Sequence, residues 1–137
     1  MDSRALRQRR ERADDWITYA SWTAIGTAIL ATVILVIAVL QNPSDLAEAS
    51  AILPGLVAQA LFGAKVRQRS FWAAAGLMTS YLYSAVIHSI AFGWYVGLIP
   101  KIIVAAVYIR GFLAVDAYIE ADKAIAAAAA STATPRP

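Results

Sequence analysis

A stretch of 25 residues, 16–40, contains no acidic or basic side chain and reads "WITYASWTAIGTAILATVILVIAVL". As an α-helix rising about 1.5 Å per residue, it would exceed the ~30 Å hydrocarbon core of a bilayer. A soluble domain of 137 residues has too small an interior to bury such a helix on every side. The stretch therefore predicts a membrane-spanning helix.

The rest of the chain follows the same pattern. Hydrophobic residues make up 60% of the sequence and charged residues only 15%, and the charges are bunched at the N-terminus, around 65–69 and after 115. We therefore predict an all-α membrane protein with four transmembrane helices in a small bundle. The predicted organisation is a charged head (1–15), a transmembrane domain (16–120) with spans at about 16–40, 46–64, 71–91 and 98–117, and an alanine-rich, partly disordered tail (121–137).

The second apolar segment is the shortest and contains Pro54 and Gly55. A proline is tolerated inside a transmembrane helix where neighbouring helices cover the freed backbone groups. The segment is interpreted either as a full span or as a re-entrant segment, and the sequence leaves both open.

Basic residues predict the orientation, because lysine and arginine in short loops stay on the cytoplasmic side. Ten of the twelve fall in regions that four crossings place on one side: Arg4, Arg7, Arg9, Arg10, Arg12, Lys65, Arg67, Arg69, Lys123 and Arg136. Both termini are therefore expected in the cytoplasm. Topology accounts for the net charge of +3, so we expect no nucleic-acid partner.

Arg110 lies within the fourth span, nearer its cytoplasmic boundary. Its long side chain can extend to the headgroups, which is the simplest interpretation. Gln59 of the second span reaches a similar depth, so the two form a candidate structural polar contact worth about 0.6 to 2 kcal/mol.

A second polar layer is predicted near the opposite surface. Tyr81, Ser84 and His88 fall within about 60° of one another on the third helix, by rotation of 100° per residue. Glu48 and Lys101 begin the second and fourth spans, so Glu48, His88 and Lys101 form the candidate functional polar layer, with the composition of a proton or ion relay. The simpler alternative is loose pairing in the hydrated headgroup region. A single histidine in a chain without cysteine is a weak metal signal, and we expect no cofactor.

Ala20, Ala24 and Ala28 recur at four-residue spacing along the first span. Small residues at this spacing favour close helix contact in lipid. The partner is either another helix of the chain or a second chain.

Two segments, "FGAKVRQRSFWAA" (62–74) and "YIRGFLAVDAY" (108–118), resemble those of a group of small uncharacterised bacterial inner-membrane proteins with four spans. Arg110, Gly111, Ala117 and Tyr118 match the Arg-Gly and Ala-Tyr that close the last span in that group. Ala114 and Asp116 stand where the group usually has glycine and phenylalanine. The resemblance covers about 46–120 and implies a fold in the bacterial inner membrane, without an activity.

No nucleotide-binding, nucleophile-elbow or zinc-protease motif occurs in the sequence. We therefore predict a non-catalytic accessory or interaction subunit that contacts lipid and either a larger membrane complex or further copies of itself. The alternative is a small oligomeric channel or proton-coupled carrier that uses Glu48, His88 and Lys101.

Overall fold

The computed structural model describes residues 3–93 and 97–133, which form four α-helices with short connections. The helices are α1 (Ser3–Gln41), α2 (Leu46–Val66), α3 (Phe71–Phe92) and α4 (Leu98–Ala133), and a 3-10 turn, Pro43–Asp45, precedes α2. The all-α prediction is confirmed. Residues 94–96 and 134–137, which include Arg136 of the predicted basic set, lie outside the described part.

Turn-forming residues set the helix ends. Ser70 caps α3 by accepting a hydrogen bond from the backbone N–H of Ala73 at 3.4 Å. Gly93 ends α3 with a φ of 92°, a conformation that glycine adopts without steric cost. Pro43 begins the 3-10 turn after α1, since it cannot donate the hydrogen bond that would continue the helix.

The helices pack as a ring in which α1 and α3 each contact both α2 and α4, and the α3–α4 interface is the smallest of the four. We call the end that holds 3–15, 67–70 and 118–133 the terminal end. The opposite end, which holds 41–46 and 97–98, is the distal end.

Small residues bring α1 close to its two neighbours. Ala20, Ala24 and Ala28 are almost fully buried. A Cβ atom at Gly63 of α2 would lie 2.5 Å from the Cβ of Ala24, and one at Gly111 of α4 would collide with Ala20. The predicted close contact is therefore confirmed, and within this chain it joins α1 to α2 and α4.

The outside of the bundle carries many large apolar side chains. Leu30, Ile90 and Ile102 are more than half exposed, and a few polar side chains such as Ser21 and Gln59 are buried among apolar ones. Exposed apolar surface of this extent is expected for a bundle surrounded by lipid.

Three helices, α1, α2 and α4, are long and apolar enough to cross a membrane within the described ranges. Over its described residues the most apolar stretch of α3 is less apolar than those of these three helices, because α3 carries polar residues such as Ser80, Ser84 and His88. The continuous 21 residues of α2 reach about 31 Å, which matches the bilayer core.

The first and last helices, α1 and α4, are longer than the sequence predicted. Residues 3–15 continue α1, and 121–133 continue α4. The predicted head is therefore part of the first helix, and the described part of the tail is helical. The alanine-rich composition of 124–130 explains the latter, because alanine has the highest helix propensity.

Candidate functional site

A cavity of about 440 Å³ lies between all four helices in the distal half of the bundle. Its walls are mainly aliphatic and include Leu35 of α1 and Leu56 of α2. Its polar lining includes Tyr81, Ser84 and His88 of α3, Lys101 of α4, and Thr27 and Gln59. We call this space the distal cavity.

The distal cavity contains two residues of the predicted polar layer. His88 and Lys101 both line it and are close enough to interact electrostatically. Tyr81 and Ser84 line it as well, so the predicted polar face of α3 is turned inward.

Glu48 does not join this layer. It is exposed in the first turn of α2 and does not line the cavity. The first turn of a helix at the end of a bundle has few neighbours to cover it, which leaves the carboxylate outside. The cavity therefore holds histidine and lysine without the acid that the sequence suggested.

Lys101 is held in place by hydrogen bonds to α3. Its Nζ donates to the Ser89 hydroxyl at 3.1 Å, and its backbone oxygen accepts from the Tyr81 hydroxyl at 2.5 Å. Within the described ranges no carboxylate forms an ion pair with Lys101. Lys101 therefore lines the cavity without a carboxylate counter-ion in the described part of the chain.

A triad of polar side chains forms the floor of the distal cavity. Gln59 Nε2 donates to Thr27 Oγ1 at 2.7 Å and to Tyr108 Oη at 2.8 Å. The two hydroxyl oxygens lie 3.1 Å apart, and Thr27 donates to the Thr23 carbonyl at 2.7 Å. Tyr108 therefore donates to Thr27, and each hydroxyl proton has an acceptor.

The predicted contact of Gln59 with Arg110 is replaced by this triad. Tyr108 and Arg110 are two residues apart, about 200° around α4, so only one of them can face the interior. Tyr108 is 2% exposed and takes that position. Arg110 is exposed, and its guanidinium lies 5.6 Å from the centre of the Trp16 ring. This cation–π contact joins α4 to α1 on the outside of the bundle.

Thr27 and Tyr108 were missed as partners of Gln59. Tyr108 follows Lys101 by seven residues, which returns to the same helix face within about 20°. This spacing indicates that Tyr108 faces the interior on the same side as Lys101. The sequence gives no signal that Gln59, Thr27 and Tyr108 meet, because a single sequence does not specify which helix faces are in contact.

Ser84 differs from the other polar residues of the cavity. It is 7% exposed, and its hydroxyl has no hydrogen-bond partner among the described residues. It packs against Gly55, where a Cβ atom would collide with the hydroxyl. A buried hydroxyl without a partner is costly, and this one lies between α3 and α2 and not in the open space of the cavity.

A second polar cluster, the terminal network, ties the helices together at the terminal end. Arg69 forms an ion pair with Asp14 at 2.8 Å, and its guanidinium lies 4.7 Å from the centre of the Tyr118 ring. Arg10 donates to the Tyr118 hydroxyl at 2.8 Å and pairs with Asp122 at 3.4 Å. The Tyr118 hydrogen bond is the main cause of the raised pKa of Arg10.

The terminal network mainly fixes how the ends of α1 and α4 lie against each other, and it contributes little to the free energy of unfolding. The side chains of its ion pairs are about 40 to 60% exposed, and surface pairs contribute about 0 to 1 kcal/mol each. They join the continuation of α1 to that of α4, where Arg9 also contacts Glu120 at 3.3 Å.

Comparisons with protein-family models, curated proteins and solved structures found no match to this chain. The resemblance suggested by the two sequence segments therefore stays a prediction, and function is inferred from the two ends of the bundle.

Proposed function

We propose that the protein is a four-span integral protein of a bacterial inner membrane and acts as a non-catalytic accessory subunit. Its contact with a partner is made by the continuations of α1 and α4 at the terminal end. We call these continuations, 3–15 and 118–133, the projection. The observation that carries the proposal is the length of these helices, 39 and 36 residues. At about 1.5 Å per residue each exceeds the ~30 Å bilayer core by more than 20 Å.

The terminal network supports this role. Ion pairs and cation–π contacts hold the projection as a pair of antiparallel helices. A projection with this many charged residues is suited to water and to a protein surface. A helix that only crosses the membrane needs neither these charged residues nor these contacts.

The channel alternative is less well supported. The distal cavity ends at the Gln59 triad, and beyond it Ile17, Val66 and Val115 fill the interior with at most 1% exposure. In the described part of a single copy, no polar path continues from the cavity to the terminal end. A carrier would have to rearrange this core in each cycle.

The proposed topology predicts the labelling of single cysteines, which the natural chain lacks. Ser44→Cys lies at the distal end and Ser131→Cys on the projection. In intact spheroplasts, a membrane-impermeant maleimide is expected to label Ser44→Cys at once and Ser131→Cys only after lysis. Labelling of Ser131→Cys in intact spheroplasts would contradict cytoplasmic termini.

The accessory role predicts a partner that depends on the projection. A chain that ends after Lys123 keeps Tyr118 and Asp122, so its terminal network and its membrane insertion are expected to persist. Quantitative mass spectrometry after purification in mild detergent should show a polypeptide that the full chain enriches and the shortened chain loses.

The control for this experiment is Leu113→Ala, which changes an exposed apolar side chain in the fourth span. It is expected to keep the same partner. Equal enrichment by the full and shortened chains, or no enrichment above control membranes, would refute the accessory role.

A further inference from the structure

The distal cavity has the size and lining of a ligand site. Small-molecule pockets in proteins occupy about 300 to 1,000 Å³ and combine apolar walls with a few placed polar groups. This cavity, of about 440 Å³, has that composition. Its length along α1, from Thr27 to Ala38, is about 16 Å by the helix rise.

The charge of the cavity indicates the sign of the ligand. α1 and α2 contribute no titratable side chain to it, α3 contributes Tyr81 and His88, and α4 contributes Lys101. Lys101 uses one of its three donor hydrogens on Ser89 and has no carboxylate partner in the described ranges. A partly buried cation in the first turn of α4, near the distal end, favours an anionic partner.

Ser84 lines the same cavity, but its hydroxyl oxygen is buried against Gly55 of α2. The Nζ of Lys101 lies 3.1 Å from the Ser89 hydroxyl. The head-group contact is therefore assigned to Lys101 alone.

We propose that the distal cavity binds a single-chain fatty acid, with its carboxylate at Lys101 and its hydrocarbon chain against the aliphatic walls of α1 and α2. One lysine charge matches a monoanionic carboxylate. A free inorganic anion would leave the apolar volume unfilled. A single chain of medium length fits the length of the cavity, whereas a phospholipid carries two long chains.

Photolabelling tests the proposal with the full chain in nanodiscs of phosphatidylcholine. The probe is decanoic acid with a diazirine in its tail, and its adducts are mapped by mass spectrometry. Adducts are expected on cavity walls such as Leu35 and Leu56. Unlabelled decanoate should compete, whereas methyl decanoate and acetate should be at least about tenfold weaker, the effect expected for loss of the charged head or of the tail.

Variants locate the head group. Lys101→Met should reduce labelling about tenfold, as expected for the loss of a charge-assisted hydrogen bond. Lys65→Met, an exposed lysine at the terminal end, is the matched control and should label like wild type. Competition on wild type needs no variant, so the test stands even if Lys101→Met fails to fold.

Four outcomes would overturn the proposal. Equal competition by methyl decanoate would remove the role of Lys101, and competition by acetate at the same concentration would indicate a simple anion site. Adducts confined to lipid-facing residues such as Ile29 and Ile90 would show partitioning into the bilayer only. Loss of labelling when phosphatidylglycerol replaces phosphatidylcholine would identify a phospholipid as the occupant.

Discussion

Gly63→Leu is expected to separate α1 from α2 and to lower the free energy of unfolding by about 3 kcal/mol, at the upper end for overpacked sites. The contact at Gly63 is with the Cβ of Ala24, which is fixed to the backbone and has 0% exposure. A side chain there cannot be accommodated by a rotamer change, so a whole helix must move. Gly63→Ala should act in the same direction at about 1 to 3 kcal/mol.

The effect of Gly63 extends to the distal cavity. Gly63 and Gln59 are four residues apart on one face of α2, and Ala24 and Thr27 are three apart on one face of α1. Close approach at Gly63 therefore allows the hydrogen bond between Gln59 and Thr27. Separation of the helices should weaken that bond together with the packing.

Reversible unfolding in mixed detergent micelles, followed by circular dichroism, measures the combined loss of helix packing and of the hydrogen bond between Gln59 and Thr27. Gly26→Ala is the matched control, because Gly26 is exposed on α1 and a Cβ there meets nothing within 4 Å. It should be neutral or slightly stabilising, since alanine favours a helix over glycine by about 1 kcal/mol. Equal stability of Gly63→Ala and Gly26→Ala would show that α1 and α2 are not in close contact.

The small-residue face of α1 could be predicted from the sequence because its signal is local. Ala20, Ala24 and Ala28 repeat at the period of a helix, and this period identifies one face without knowledge of its partner. Gly63 and Gly111 have no comparable repeat. Each of these glycines allows close approach to α1, which depends on which helices cross at that point. The period of one helix does not identify the helix that crosses it.

The candidate site was predicted in part for the same reason. His88 and Lys101 come together because each is a polar residue in an apolar helix near the same end. Gln59 was matched to Arg110 by depth alone. Depth places residues along the bundle axis but not around it, and rotation of about 200° separates Arg110 from Tyr108.

The helical projection was missed because charge was interpreted only as a topology signal. The arginines of 3–15 also pair with residues of α4, as Arg10 does with Asp122. Partners more than 100 residues apart in sequence cannot be recognised from spacing.

Tyr108→Ala is expected to be among the most destabilising substitutions in the chain, at about 3 to 5 kcal/mol. Tyr108 is the largest of the fully buried side chains, and its ring packs edge-on against Tyr81 with centroids 5.1 Å apart. Removing the ring leaves a void and takes away two hydrogen bonds of the triad. Unfolding in mixed micelles should show a much lower midpoint than wild type.

Tyr108→Phe separates the ring from the hydroxyl. It keeps the packing and removes only the bonds to Gln59 and Thr27, so the expected loss is about 0.6 to 1.7 kcal/mol, the range for such bonds in membrane proteins. Tyr19→Phe is the control, because Tyr19 is 62% exposed on α1 and is expected to change stability by less than about 0.5 kcal/mol.

A double-mutant cycle with Gln59→Leu tests whether the two residues act as a unit. If the amide and the hydroxyl stabilise the floor through each other, the double variant should be less destabilised than the sum of the two single variants by about 0.5 kcal/mol or more. Additive losses would contradict a direct bond between Gln59 and Tyr108. In that case the buried polar groups would stabilise α2 and α4 separately, and the floor of the cavity would depend on the aromatic packing of Tyr108 against Tyr81 alone.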